Sequence, residues 1–217
     1  MLQQIFVDMI GSKFDDDATT AARALAQTAC PCCDGDSRVC LAPAAYLPNL
    51  VQVVEAYKRH AEAAYSGAAA AAAAAPTPLS FIPTSPVPAS QDIAVSLAAF
   101  LGDVAAAAAK KDLLRDEHLA VLGDRAVVGP LLWCCGASFG VQLDPLGARA
   151  YLRSVAQLCE AHPKLLAALN ADGQAVKAAC AIEQHPFLGR YAAAARKKIE
   201  AAVAAAGAAA GAVAAAM

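Results

Sequence analysis

The chain has 217 residues, enough for one domain of ordinary size or a short array of helical repeats and too few for two large domains. Its 59% hydrophobic content includes 60 alanines, which bury little area each, so the positive mean hydropathy is not in itself a membrane signal. A net charge of -2 and a pI near 6.1 exclude a general attraction to nucleic acid or anionic lipid.

Alanine loses no rotamer entropy in a helix, and the β-branched and aromatic residues never alternate over a long run, so an all-α fold is expected. Leu2, Ile5, Phe6, Met9 and Ile10 recur at the spacing of one apolar helix stripe, with no secretory leader pattern before them. Gly11 to Asp17 reads as a turn and Ala18 to Ala29 as a helix that buries little beyond Leu25 and its alanines. A cysteine-rich loop runs from Cys30 to Cys40. Leu47, Leu50, Val51, Val54 and Tyr57 mark a strong helix started by Pro48, because proline fits a first turn where its missing N–H is not needed. From Gly67 a run of alanines gives way to Pro76, Pro78, Pro83, Pro86 and Pro88, which reads as an exposed, partly extended linker.

Beyond the linker, Ser90 is a candidate N-cap with Asp92 in the first turn, and Ile93, Leu97, Phe100, Leu101 and Val104 form an apolar stripe. Asp112 to Leu122 reads as a short helix stopped by Gly123, and the uncharged run Ala126 to Leu143 as a buried central helix. In that run Val128, Leu131, Leu132 and Cys135 form the inner stripe and Trp133 lies towards a rim. Asp144-Pro145 opens a helix with Leu152, Val155 and Cys159 at helical spacing. The last strong helix carries Leu188, Tyr191, Ala195, Ile199 and Val203. The expected organisation is a helical segment over 1–66 with its Cys-rich loop, a linker over 67–89, a helical region over 90–205 and an Ala/Gly-rich tail over 206–217.

An echo runs through the second half. Glu160-Ala161-His162-Pro163 and Glu183-Gln184-His185-Pro186 spell Glu-x-His-Pro twice, 23 residues apart, each followed by a leucine, Leu165 and Leu188. A period of 23 per helix is about 46 per helix pair, within the range of helical-repeat units. Leu165 to Cys180, with its leucine-rich start, polar turn at Asn170 to Gly173 and Val176-Lys177-Ala178-Ala179 opening a second helix, resembles a HEAT-type unit. Phe14 to Asp17 leading into Ala21 to Leu25 is a fainter version. The resemblance covers about a quarter of the chain, and the central linker interrupts it. It implies helix hairpins packed as a short HEAT-like solenoid or an irregular bundle, with a protein-binding role of the importin, exportin or scaffold kind.

Several motifs carry possible chemistry. Cys30-Pro31-Cys32-Cys33 with Cys40 offers four thiols for a tetrahedral zinc site, and Cys30-x-x-Cys33 has redox spacing. Against these, the group follows a predicted helix and so faces its negative end, which disfavours thiolate, and no second ligand pair is spelled elsewhere. Cys134, Cys135, Cys159 and Cys180 lie on apolar segments and read as small core residues. His162 and His185 form a constellation only if Asn170 to Gly173 breaks the intervening helix, since an unbroken one would hold them roughly 30 Å apart. Histidine before a proline at the first helical position is more simply a cap. Gly136-Ala137-Ser138-Phe139-Gly140 spells Gly-x-Ser-x-Gly, with Asp172 and His185 downstream, but no strand precedes it.

The expectation is therefore a non-enzymatic interaction module or structural subunit with protein partners. No cofactor, nucleic-acid partner or small-molecule substrate is expected. Eight cysteines without a leader pattern point to reduced thiols inside a cell, in the cytoplasm or nucleus with an organelle left open. The alternative is a membrane-associated subunit anchored through 126–143 or through the Ala/Gly tail, where Gly207 and Gly211 have helix-packing spacing.

Overall fold

The computed structural model describes residues 5, 8–10, 15–28, 43–74, 89–135 and 145–215. About 89% of these are helical and none lies in a strand, so the protein is all-α over its described residues. In chain order the helices are α1 (Asp15–Thr28), α2 (Leu50–Ala74), α3 (Ala89–Lys110), α4 (Asp116–Leu122), α5 (Arg125–Cys134), α6 (Pro145–Ala161), α7 (Pro163–Leu169), α8 (Gln174–Ile182) and α9 (Gly189–Ala215). A 3-10 turn, Pro43–Asn49, leads into α2, so Pro48 lies just before the α-helix it was expected to start.

The core is built around α3. Its expected stripe of Ile93, Leu97, Phe100, Leu101 and Val104 is fully buried, together with Ala94, Ala98, Ala105 and Ala108. Burial around most of its circumference is possible because α1, the 3-10 turn, α2 and α6 all pack against it. On α1 the contact surface is Ala18, Ala21, Ala22 and Leu25, the alanine-rich face read from sequence. Phe100 meets Tyr46 edge to face, with ring centroids 5.0 Å apart. The helices on either side of 75–88 thus share one core. Of the first predicted stripe, Ile10 is buried, Ile5 is exposed, and Leu2 and Phe6 lie outside the described residues.

Several helix boundaries differ from expectation: α1 begins at Asp15, inside the expected turn, and α2 runs to Ala74, into the expected linker. The helix expected over Asp112 to Leu122 begins at Asp116. Ahead of it, α3 ends in a Schellman-type closure, in which the Leu113 N–H donates to the Ala108 carbonyl at 2.9 Å and the Asp112 N–H to that of Ala109 at 3.1 Å. Asp112 takes the left-handed position with φ 53°, a conformation that aspartate tolerates better than most residues. The expected central helix over Ala126 to Leu143 is only α5 within the described residues. It is ten residues long and capped by Asp124, whose Oδ1 accepts from the Ala126 N–H at 3.0 Å. Val127, Val128, Leu131 and Cys135 are its buried face, with Leu132 and Trp133 half-buried. The alanine- and glycine-rich tail is helical through Ala215 as part of α9, while Val203, expected on the inner stripe, is exposed and the fully buried positions end at Ile199.

Among the described residues, the helix that meets the length and apolarity of a membrane span is Ser90–Lys110 within α3, and about two-thirds of its most apolar window is buried by protein, while 136–143 of the expected 126–143 segment lie outside the described residues. At roughly 15 Å, α5 reaches only half-way across a hydrocarbon core.

Candidate functional site

The two copies of Glu-x-His-Pro are the clearest case in which the fold explains a motif. His162 precedes Pro163 at the first position of α7, and its Nδ1 accepts from the Lys164 N–H at 3.1 Å. His185 repeats the device, its Nδ1 accepting from the Phe187 and Leu188 N–H groups at 3.3 and 3.2 Å. Each imidazole thus has one ring nitrogen engaged in closing a backbone turn. The glutamates act in parallel too. Glu160 pairs with Lys198 at 3.0 Å and Glu183 with Arg196 at 2.5 Å, so both copies anchor to α9 at positions two residues apart. The echo describes how α6 and α8 each grip the last helix.

Asn170 to Gly173 does break the helix, with Asp172 and Gly173 both at positive φ. Yet α7 packs chiefly on α6, and α8 on α9, rather than the two closing on each other as a hairpin. Asp172 is exposed, and the Gly-x-Ser-x-Gly fragment at 136–140 lies outside the described residues, as do Cys30, Cys32, Cys33 and Cys40. Among the described residues, no group of three or more His, Cys, Asp or Glu side chains gathers in metal-binding proximity.

The cysteines divide. Cys135 and Cys159 are buried, and burial, aided by the neighbouring Glu160 charge, pushes the Cys159 thiol up to about 12. Cys180 corrects the expectation of a core position: it is exposed, because the inward face of α8 is set by Ala175, Ala179 and Ile182.

Between α6 and α9 lies a cleft of about 330 Å³, which the sequence reading did not find. Arg149, Leu152, Arg153, Ala156 and Gln157 contribute from α6, and Tyr191, Ala194, Ala195 and Lys198 from α9. Both sets follow three- and four-residue spacing, so each is a single helix stripe facing the other. The alanines leave the space, and Leu152 and Ala156 form an apolar floor. Around the floor the charge is positive. Arg149 lies over the Tyr191 ring at 4.4 Å and Arg190 at 4.7 Å, so the tyrosine is flanked by two guanidinium groups. Arg190 also donates to the Tyr191 hydroxyl at 2.7 Å.

Behind the cleft, Arg153 reaches Asp103 on α3, a carboxylate with 0% side-chain exposure. The other oxygen of that carboxylate accepts from Gln157 Nε2 at 2.8 Å. Ser154 Oγ donates to the Ala98 carbonyl at 2.6 Å, and Gly102 lets the two helices close, since a Cβ there would come within 2.9 Å of the Ser154 Cα. One helix, α6, is therefore sealed to α3 on one side and lines an open cleft on the other.

Comparison with protein-family models, curated proteins and solved structures finds no match for this chain. The functional reading rests on the cleft and the packing around it. Three of its residues had a partial signal in the sequence, Leu152, Tyr191 and Ala195, each as a helix-stripe residue. Arg149 and Arg153, four apart on α6, gained meaning only once α9 was known to lie beside them.

Proposed function

We propose that this protein is a non-enzymatic helical interaction module or structural subunit of a larger assembly, with the α6–α9 cleft as its docking face. The observation that carries the reading is the pairing of an apolar floor with a cationic, aromatic rim. Arg and Tyr are the residue types that concentrate binding energy at protein interfaces. The architecture favours an irregular bundle, because α3 packs on α1 and α2 before it and on α6 well after it in the chain, whereas a solenoid unit contacts only its neighbours in the stack. The HEAT-like reading of 165–180 is supported only by the order α7, polar turn, α8, since the two helices pack on α6 and α9 rather than on each other. In this reading the protein works inside the cell, in the cytoplasm or nucleus.

Membrane association is the second reading, favoured by the length and apolarity of Ser90–Lys110. It would require α3 to leave a core in which Asp103 is already paired with Arg153.

A photo-crosslinking amino acid placed at position 194, exposed within the cleft, tests the docking face against the same group at position 120, exposed on α4. In cells, a discrete adduct formed from position 194 and not from position 120 supports the reading. Identical adducts from both positions, or none from 194, would overturn it.

A further inference from the structure

We propose that the α6–α9 cleft binds an acidic, amphipathic peptide segment of a partner protein, its carboxylates meeting Arg149 and Arg190 and its apolar side chains resting on Leu152, Ala156 and Ala195. This deepens the interaction-module reading and depends on it. The charge balance of the cleft carries the inference. Three cations line it, Arg149, Arg153 and Lys198, and a fourth, Arg190, sits against the ring of the lining residue Tyr191. Arg153 is matched by Asp103 and Lys198 by Glu160. Neither Arg149 nor Arg190 has a carboxylate partner among the described residues, although the whole chain carries a net negative charge. The two unmatched guanidinium groups lie on either side of one tyrosine beside an apolar floor, which sets them apart from a lone solvated surface cation and makes the rim complementary to carboxylates.

The geometry narrows which anion. Both guanidinium groups stack against one tyrosine ring, which restricts their rotamers in advance, and a planar guanidinium presents paired N–H donors suited to a carboxylate. An ion alone would leave the apolar floor uncovered. The two facing stripes, 149–157 and 191–198, run for about 12 Å, two turns of helix, which suits a short segment carrying both acidic and apolar side chains. A volume of about 330 Å³ accommodates a few side chains rather than a folded domain. Phe187, exposed to 67%, lies three residues before Arg190 and adds apolar surface near the start of α9.

The test uses the full chain and three fluorescent peptides: acetylated repeats of Glu-Leu-Leu-Ala, the same with glutamine for glutamate, and the same with phosphoserine for glutamate. Anisotropy should show the glutamate peptide binding at least about tenfold more tightly than the glutamine peptide, with affinity falling as salt is raised. The double variant Arg149→Glu and Arg190→Glu should lose about tenfold or more while its thermal melt stays unchanged, because both side chains lie on the surface. Arg149→Gln should give a smaller loss in the same direction. Equal affinity for the glutamate and glutamine peptides, undiminished binding by the double variant, or binding of the phosphoserine peptide alone would each overturn the inference. Ala194→Trp separates the two levels of the account. If it abolishes equal binding of the glutamate and glutamine peptides, the docking face stands and its acidic selectivity falls. If no peptide saturates at millimolar concentration, the selectivity falls, and the docking face falls with it only when the crosslinker at 194 also captures nothing.

Discussion

The two faces of α6 use the same kinds of residue to opposite effect. Towards α3, Gly102 removes the side chain that would hold the helices apart, Ser154 bonds to the Ala98 carbonyl, and Asp103 is enclosed by Arg153 and Gln157. Towards α9, Ala156, Ala194 and Ala195 are nearly as small, yet a cleft of about 330 Å³ remains beside the packed helices. Arg149, Tyr191 and Lys198 stand around it, and the small residues leave its space open. A small residue closes an interface only where its partner helix fills the space it leaves. Arg153 belongs to both faces, completing the buried pair with its head group and walling the cleft with its stem.

The largest effect expected from breaking this contrast comes from Arg153→Met, which leaves the Asp103 carboxylate buried with only Gln157 beside it. A loss of about 3 kcal/mol is expected in urea unfolding. Adding Asp103→Leu should recover most of it, since an apolar pair can replace a buried ion pair. Failure of the double variant to recover would mean that the pair organises more than its own contact.

Gly102→Ala comes next, at about 1 to 2 kcal/mol, because the new methyl meets the α6 backbone. A cost near zero would show the α3–α6 contact to be looser than described.

An exposed ion pair offers a weaker comparison. Lys58 lies 2.7 Å from Asp124, and its hydrogen bond, with that of the Ala126 N–H, holds the Asp124 carboxyl below its ordinary range. Asp124→Ala should cost about 1 kcal/mol, chiefly through the lost cap of α5. Because the folded pKa is lowered, the Asp124 contribution is present above the ordinary carboxylate pKa of about 4 and fades as pH falls through the lower folded value. The stability difference between wild type and variant should therefore shrink in acid. A difference that is constant down to strongly acidic pH would contradict the assignment.

The smallest effect belongs to the cleft. Ala194→Trp fills open space and should change stability by less than about 0.5 kcal/mol, in contrast to Gly102→Ala across the same helix. A marked loss would mean that the cleft is closed in solution.

Helix type and core stripes were legible because burial on one face imposes a 3.6-residue period, and the stripe of α3 and the alanine face of α1 follow it. The histidine caps were legible as well, since Pro163 fixes the first turn and leaves an N–H for the residue before it to accept. What escaped detection depends on which stripe meets which. Cys180 has the same local pattern as a core residue, and only the docking of α8 through Ala179 and Ile182 turns it outward. Asp103 was invisible for the same reason: one acid in an apolar helix acquires its role from Arg153, fifty residues away. The cleft joins residues of α6 and α9 about forty positions apart, and local spacing encodes each half without their relation.

The most direct test of the docking account is an amide chemical-shift titration of the ¹⁵N-labelled chain with the glutamate peptide. Shifts confined to 149–157 and 187–198, saturating together and absent in the Arg149→Glu, Arg190→Glu variant, are the predicted result. Shifts centred instead on the alanine-rich end of α9 beyond Val203, or on α4 and α7, would contradict it.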